Sequence, residues 1–380
     1  MTIRAVISIL LFLSITSCVE KYWPQVDRYN HVLVVDGFLS NSTDPATVNL
    51  SYSSSINEGV FIPISDGIVY VVDNNQLTLT FAETEPGVYL SEDQSFQGQI
   101  GNSYQLFIEL PNGNKYESEI SMLNAPSPID SVYGVQETRE IPNRYLPQQI
   151  VQFYLDNHSD NSNTCYYLWR LRQTYKYQSS FDIDYTWEGE FKPFPVPDSM
   201  RTCWHDSQVQ EIFTFTTKNL ASPIIKRFPL NFCSTDTKEL SIRYSLLVSQ
   251  LSISKEAFDF WDAMRQQNVD MENLHSRQPF QLRGNIKNIE NIEETVLGYF
   301  TVAGVTKKRI YVDRPALPFY YMICEPDYGS MGWIQFEPPE YWPIYLTMSN
   351  SGALGMATLY ECFDCQLEGG SLSPPDFWEN

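Results

Sequence analysis

Tyr104–Leu110 (YQLFIEL), the turn Pro111-Asn112-Gly113-Asn114 and Lys115–Ile120 (KYESEI) together decide the fold class. Tyr104, Leu106, Ile108 and Leu110 place an apolar side chain at every second position, and Tyr116 and Ile120 share one face of the second arm, which is the period of a half-buried strand. Asn-Gly between two such arms is the strongest short hairpin signal, because both residues tolerate the left-handed backbone a tight turn needs.

The same alternation extends towards the N-terminus. His31–Ser40 (HVLVVDGFLS), Thr47–Tyr52 (TVNLSY), Gly67–Val72 (GIVYVV), Leu77–Phe81 (LTLTF) and Gly87–Leu90 (GVYL) all read as strands. About seven strands at this spacing, with no helical period among them, predict an Ig-like or carboxypeptidase-regulatory-like β-sandwich over residues 31–124. Ala125-Pro126-Ser127-Pro128 then marks a rigid boundary.

Residues 128–380 read as a larger β-rich domain, so the chain is mainly β. Its expected strands are Tyr166–Leu171, Tyr175–Tyr177, Ile212–Phe215, Ile242–Leu251, Glu294–Val302 and Lys308–Val312. One amphipathic helix interrupts them. Ser254 is placed to cap Lys255 through about Gln267, and Ala257, Phe260, Trp261 and Met264 fall on one face. From Cys324 onward the chain is rich in Pro, Gly and Trp and is expected to be loop-dominated and stapled by cysteines.

The N-terminus reads as an export signal. Thr2, Ile3 and Arg4 form a short charged region, and Ala5–Ile15 (AVISILLFLSI) is apolar but too short to span a bilayer. Thr16, Ser17 and Cys18 follow. Cleavage after residue 17 would leave Cys18 as a lipidated first residue, with residues 18–30 as a tether. Two acyl chains already anchor a protein stably. The other readings are a secretory signal cut near Ser17 and an uncleaved anchor.

Charge and cysteine content agree with export. The net charge is −21 with no basic stripe, so no nucleic-acid partner is expected. Of seven cysteines, lipidation of Cys18 leaves six, with 15 possible pairings in an oxidising compartment. The expected bridges are Cys203 with Cys233, and Cys324 with either Cys362 or Cys365. Cys165, in the apolar run CYYLW, is expected to be a buried free thiol.

Chemical signatures are sparse. Cys203-Trp204-His205 and Cys362-x-x-Cys365 carry zinc-ligand types, but a second C-x-x-C pair is missing, so disulfides are expected and no metal. His31 and His158 read as solvated, and His205 and His275 belong to no catalytic motif. Asp156 and Asp160 resemble a calcium loop only in composition. Neither HExxH nor G-x-S-x-G is present, and no cofactor is expected. Tyr320, Tyr321, Trp333, Tyr341, Trp342 and Tyr345 form the aromatic clusters of the C-terminal part. They are candidate platforms for a sugar or a protein partner.

Motifs along nearly the whole chain resemble one family. They include Val34-Val35-Asp36-Gly37-Phe38, Gly101-Asn102-Ser103-Tyr104, Pro128-Ile129-Asp130-Ser131-Val132 and Tyr244-Ser245-Leu246-Leu247-Val248-Ser249-Gln250. Ala257-Phe258-Asp259-Phe260-Trp261, Val296-Leu297-Gly298-Tyr299-Phe300 and Cys362-Phe363-Asp364-Cys365 extend the pattern. The chain resembles the Bacteroidota lipoproteins grouped as domain of unknown function 4249. That resemblance implies an outer-membrane lipoprotein, often encoded beside a TonB-dependent receptor, and carries no reaction or catalytic residue. Glu20 is the sole acidic residue close behind Cys18, which leaves the periplasmic and cell-surface faces both open. Asp130-Ser131-Val132 and Asp198-Ser199-Met200 resemble the O-glycosylation signal of the same bacteria, making Ser131 and Ser199 candidates.

The function expected from these readings is a non-enzymatic accessory component of a TonB-dependent β-barrel receptor system, held at the outer membrane by its lipid. Its small-molecule or glycan ligand is left open. The alternatives are an extracytoplasmic hydrolase or polysaccharide-processing enzyme, and an assembly factor for outer-membrane proteins.

Overall fold

The computed structural model describes residues 31–54, 61–141, 144–159, 165–271, 282–321, 324–357 and 359–379. Cys18 and the tether, Asp160 and His275 lie outside them. The chain is mainly β, with one α-helix among the described residues.

The hairpin expected around Asn112-Gly113 forms. Ser103–Glu109 pairs with Lys115–Ser118, and Gly113 takes a φ of 89° at the turn. Ile68–Asp73 lies between Thr78–Glu85 and Ser103–Glu109, and Leu33–Ser40 pairs antiparallel with Thr47–Tyr52.

The expected boundary at 125–128 is a turn but not a break in the sheet. The two expected strands Glu294–Val302 and Lys308–Val312 are one strand, Leu297–Asp313. Its first part runs parallel to Leu33–Ser40, from Val34 opposite Leu297 to Ser40 opposite Ala303. Its second part runs antiparallel to Arg243–Ser252. The strand therefore belongs to both halves. Ile286–Asn288 also pairs with Lys115–Ser118, and Ile286, Val296, Phe300 and Val302 sit in the core of the N-terminal half. Residues 31–124 do not close their own core, because their alternating faces are completed by side chains from the far end of the sequence.

In the C-terminal half, Thr202–Gln208, Tyr166–Gln178 and Arg243–Ser252 continue the sheet. A second sheet of Ile129–Arg139, Gln148–His158 and Ile224–Ser234 packs against it. Alternation did not reveal Thr202–Gln208 or the three strands of the second sheet, in which bulges, Pro229 and mixed polar positions blur the period. The core between the sheets holds Phe153 stacked on Tyr244 at 5.3 Å and Trp169 on Phe228 at 4.4 Å. Trp169 Nε1 donates to Gln250 Oε1 at 2.9 Å, so this large buried ring leaves no orphan donor.

The helix spans Lys255–Met271. Ser254 Oγ accepts from the Ala257 backbone N–H at 3.2 Å, a cap that typically stabilises by ~1 kcal/mol. Ala257 and Phe260 are buried against Tyr299, Leu251 and Ala303, which seats the helix in the corner where the two halves join.

The C-terminal part has more regular structure than its composition suggests. Ile344–Met348 and Leu354–Met356 join Tyr185–Trp187 and Phe191–Pro193 in a four-stranded sheet. Two disulfides staple this region, Cys203–Cys365 and Cys324–Cys362. The expected Cys203–Cys233 bridge is replaced. Cys203 lies beside Tyr177 and Cys365, whereas Cys233 lies in the core between the two sheets. Burial pushes the Cys233 thiol well above its ordinary value. Cys165 is free, as expected, but half-buried rather than buried.

Candidate functional site

Two features offer themselves for binding: an aromatic surface on the stapled C-terminal region and a groove along the helix. The surface is built on the short 3-10 helix Ser330–Phe336. Ile334 points into the core with Ile344 and Leu346. That anchor turns Trp333 and Phe336 outward, where they are 71% and 70% exposed with ring centres 6.0 Å apart. Tyr341 is 57% exposed, and its backbone carbonyl accepts from the Tyr360 hydroxyl at 2.8 Å.

The other candidate aromatics divide differently. Trp342 packs over Gly189, and Tyr345 packs edge-on to Tyr360 and Phe363, so both serve the local core. Tyr320 is exposed, but its backbone N–H donates to Thr235, and Tyr321 packs on Phe319. Phe336 was missed in the sequence because nothing local separates an outward ring from an inward one.

The remaining candidates are placed as follows. Ser131 is half-buried in a strand opposite Asp156. Ser199 is exposed on a turn closed by its N–H to the Val196 carbonyl. His158 is not simply solvated, since its Nδ1 meets Asp130. His31 Nδ1 lies 2.9 Å from the Ser53 carbonyl. His205 stacks on Tyr175 and contacts the Gly369 carbonyl at 3.1 Å. Cys203, Cys362 and Cys365 all spend their sulfurs in disulfides, so the considered zinc set is not assembled.

The groove lies between the last turns of the helix and the strands Phe213–Thr216 and Ile224–Ser234. It encloses about 840 Å³ and is lined by Ile212, Phe213, Phe215, Phe228, Pro229 and Arg265, among others. Its residues come from three separate segments, and for that reason no motif announced it. Two of its lining residues, Arg265 and Thr214, hold the carboxylate of Asp262 on the helix. Arg265 Nη2 donates to it at 2.8 Å, Thr214 Oγ1 at 2.8 Å and Gln266 Nε2 at 2.6 Å. Burial pushes this carboxyl up, but the hydrogen bonds from Arg265, Thr214 and Gln266 outweigh it and hold it below the ordinary carboxylate value.

A depressed carboxyl stabilises the fold fully above its unfolded pKa of about 3.9, and that contribution is lost as the pH falls through the lower folded value. Asp262→Asn is therefore expected to destabilise the chain at pH 6. Its difference from the wild type should shrink below pH 4. Urea midpoints measured across that range check this, and a gap that is constant with pH contradicts it.

The family model described as a domain of unknown function (DUF4249) matches residues 19–309. That span takes in the whole groove and ends before Trp333, Phe336 and Tyr341. No curated protein matches the chain.

Proposed function

The chain belongs to the DUF4249 family, and from that premise we propose that it is a lipoprotein anchored in the outer membrane through Cys18. It acts there as a non-enzymatic binding component of a TonB-dependent receptor system. The observation that carries this reading is the exposed Trp333–Phe336 pair, with Tyr341 exposed a few residues further on, in a disulfide-stapled region. Exposed aromatics fixed by a buried anchor lose little entropy on docking, which is why Trp and Tyr dominate interface hot spots. Two disulfides also suit an oxidising compartment outside the cytoplasm. Lipid tethering confines the chain beside its partner and raises the effective concentration, so modest contacts suffice.

The test is co-purification from solubilised outer membrane. The wild-type chain should bring down a TonB-dependent β-barrel. Trp333→Ala with Phe336→Ala should weaken the complex by about tenfold or more, the scale of losing an aromatic hot spot. Cys18→Ser should release the chain from the membrane fraction. Recovery of the protein alone, or a barrel retained equally by the aromatic variant, would overturn the reading.

A further inference from the structure

A second cleft, of about 360 Å³, shares Gln210, Glu211 and Ile212 with the larger groove. Arg170, on Tyr166–Gln178, reaches into it where the two halves of the molecule meet. Its guanidinium lies near two rings, with Cζ 4.9 Å from the centre of Phe38 and 5.7 Å from that of Trp261. Aromatic faces attract a planar cation and leave its edge to bond.

Among the described residues that edge meets no hydrogen-bond acceptor. Its ion-pair contact is Asp36, whose Oδ1 stands 3.9 Å from Nη2, beyond hydrogen-bond range. Asp36 likewise accepts no hydrogen bond among the described residues, and its side chain is 55% exposed. A cation and an anion thus stand side by side in a cleft, loosely paired with each other but without a side-chain hydrogen bond to either among the described residues. Burial holds the guanidinium below the ordinary arginine value, and Asp36 pulls it back up. Thr47, Asn49 and Gln208 supply further neutral donors and acceptors around the pair.

We infer that Arg170 and Asp36 are the head-group site for an amino-acid-type zwitterion, whose apolar side chain lies in the adjoining groove of Phe213, Phe215 and Phe228. An α-amino acid carries its two charges on one carbon, side by side as the protein carries their complements. Its carboxylate takes the free edge of Arg170 in the paired geometry a guanidinium favours. Its ammonium takes Asp36. A simple carboxylate would satisfy Arg170 but meet Asp36 as a like charge, and a simple amine would suffer the reverse. The phenyl-lined groove next door accepts an aromatic or branched side chain, which supplies the apolar part of the affinity.

The inference goes beyond the proposed membrane role and does not rest on it. The test is calorimetric titration of the full detergent-solubilised chain with L-phenylalanine, L-leucine, 3-phenylpropionate and phenethylamine. One of the two amino acids should bind saturably and more tightly than the probes that lack either charge. Arg170→Gln should weaken that binding at least about tenfold. Asp36→Asn should weaken it too, and should shift preference towards 3-phenylpropionate, which a merely structural role for Asp36 would not do. If Arg170→Gln fails to fold, Asp36→Asn decides alone, since that side chain is largely exposed. No saturable binding of either amino acid at millimolar concentration would overturn the inference. So would an Asp36→Asn chain with unchanged probe preference.

Discussion

Gly298→Ala is expected to abolish cooperative folding. Gly298 stands opposite Val35 at the parallel join between Leu33–Ser40 and Leu297–Asp313. It has a φ of 89°, and a Cβ there would lie 2.0 Å from the Val35 carbonyl oxygen. The obstacle is backbone, so no side chain can turn aside. Moving Gly298 away is blocked as well, because Gly284 passes so closely that its own Cβ would lie 1.6 Å from the Gly298 oxygen. The left-handed conformation alone costs an alanine roughly 1–2 kcal/mol. Relieving the overlap requires parting the strands where the two halves are joined, which brings the expected loss above about 4 kcal/mol. A domain typically has only about 5–15 kcal/mol in total.

Gly113→Ala is the matched control. Gly113 has the same φ of 89°, but nothing lies within 4 Å of its Cβ position. It should show the conformational cost alone, as a small shift of the urea midpoint. Near-ultraviolet circular dichroism and urea unfolding of both variants measure the difference. Equal midpoints would show that the join is not a close-packed crossing.

The second large effect concerns the disulfide Cys203–Cys365, which closes 162 residues of sequence. On the chain-entropy model such a loop contributes about 5 kcal/mol, against about 4 kcal/mol for the 38-residue separation of Cys324–Cys362. Local packing adds to the difference. Cys203 and Cys365 are fully buried beside Tyr177, whose hydroxyl donates to the Cys365 carbonyl at 2.6 Å. Burial pushes that Tyr177 hydroxyl up to about 12. Trp204 and Ser371 exchange backbone hydrogen bonds just beyond the bridge, so the tail is laid along the sheet edge that the disulfide pins. Cys203→Ser with Cys365→Ser is expected to lower the denaturant midpoint more than the paired change at Cys324 and Cys362. It should also open residues 359–379 to limited proteolysis. If the tail stays protected in that variant, the hydrogen bonds alone hold it.

What proved legible in the sequence is local. Alternation in His31–Ser40, Thr47–Tyr52 and Tyr104–Leu110 marks strands because a strand turns every second side chain to the same face. Asn112-Gly113 marks the hairpin, and Ser254 ahead of an apolar stripe marks the helix, because each depends only on neighbours within a few residues. What the tertiary structure alone decided is which distant pieces meet. It joined Leu297–Asp313 to both halves, paired Cys203 with Cys365 rather than Cys233, turned Trp333 out and Trp342 in, and brought Asp36 beside Arg170. A residue's own period shows that it has a buried face, but not what will cover it. That is decided by packing between segments far apart in the chain, whose complementarity is a property of shape and not of spacing.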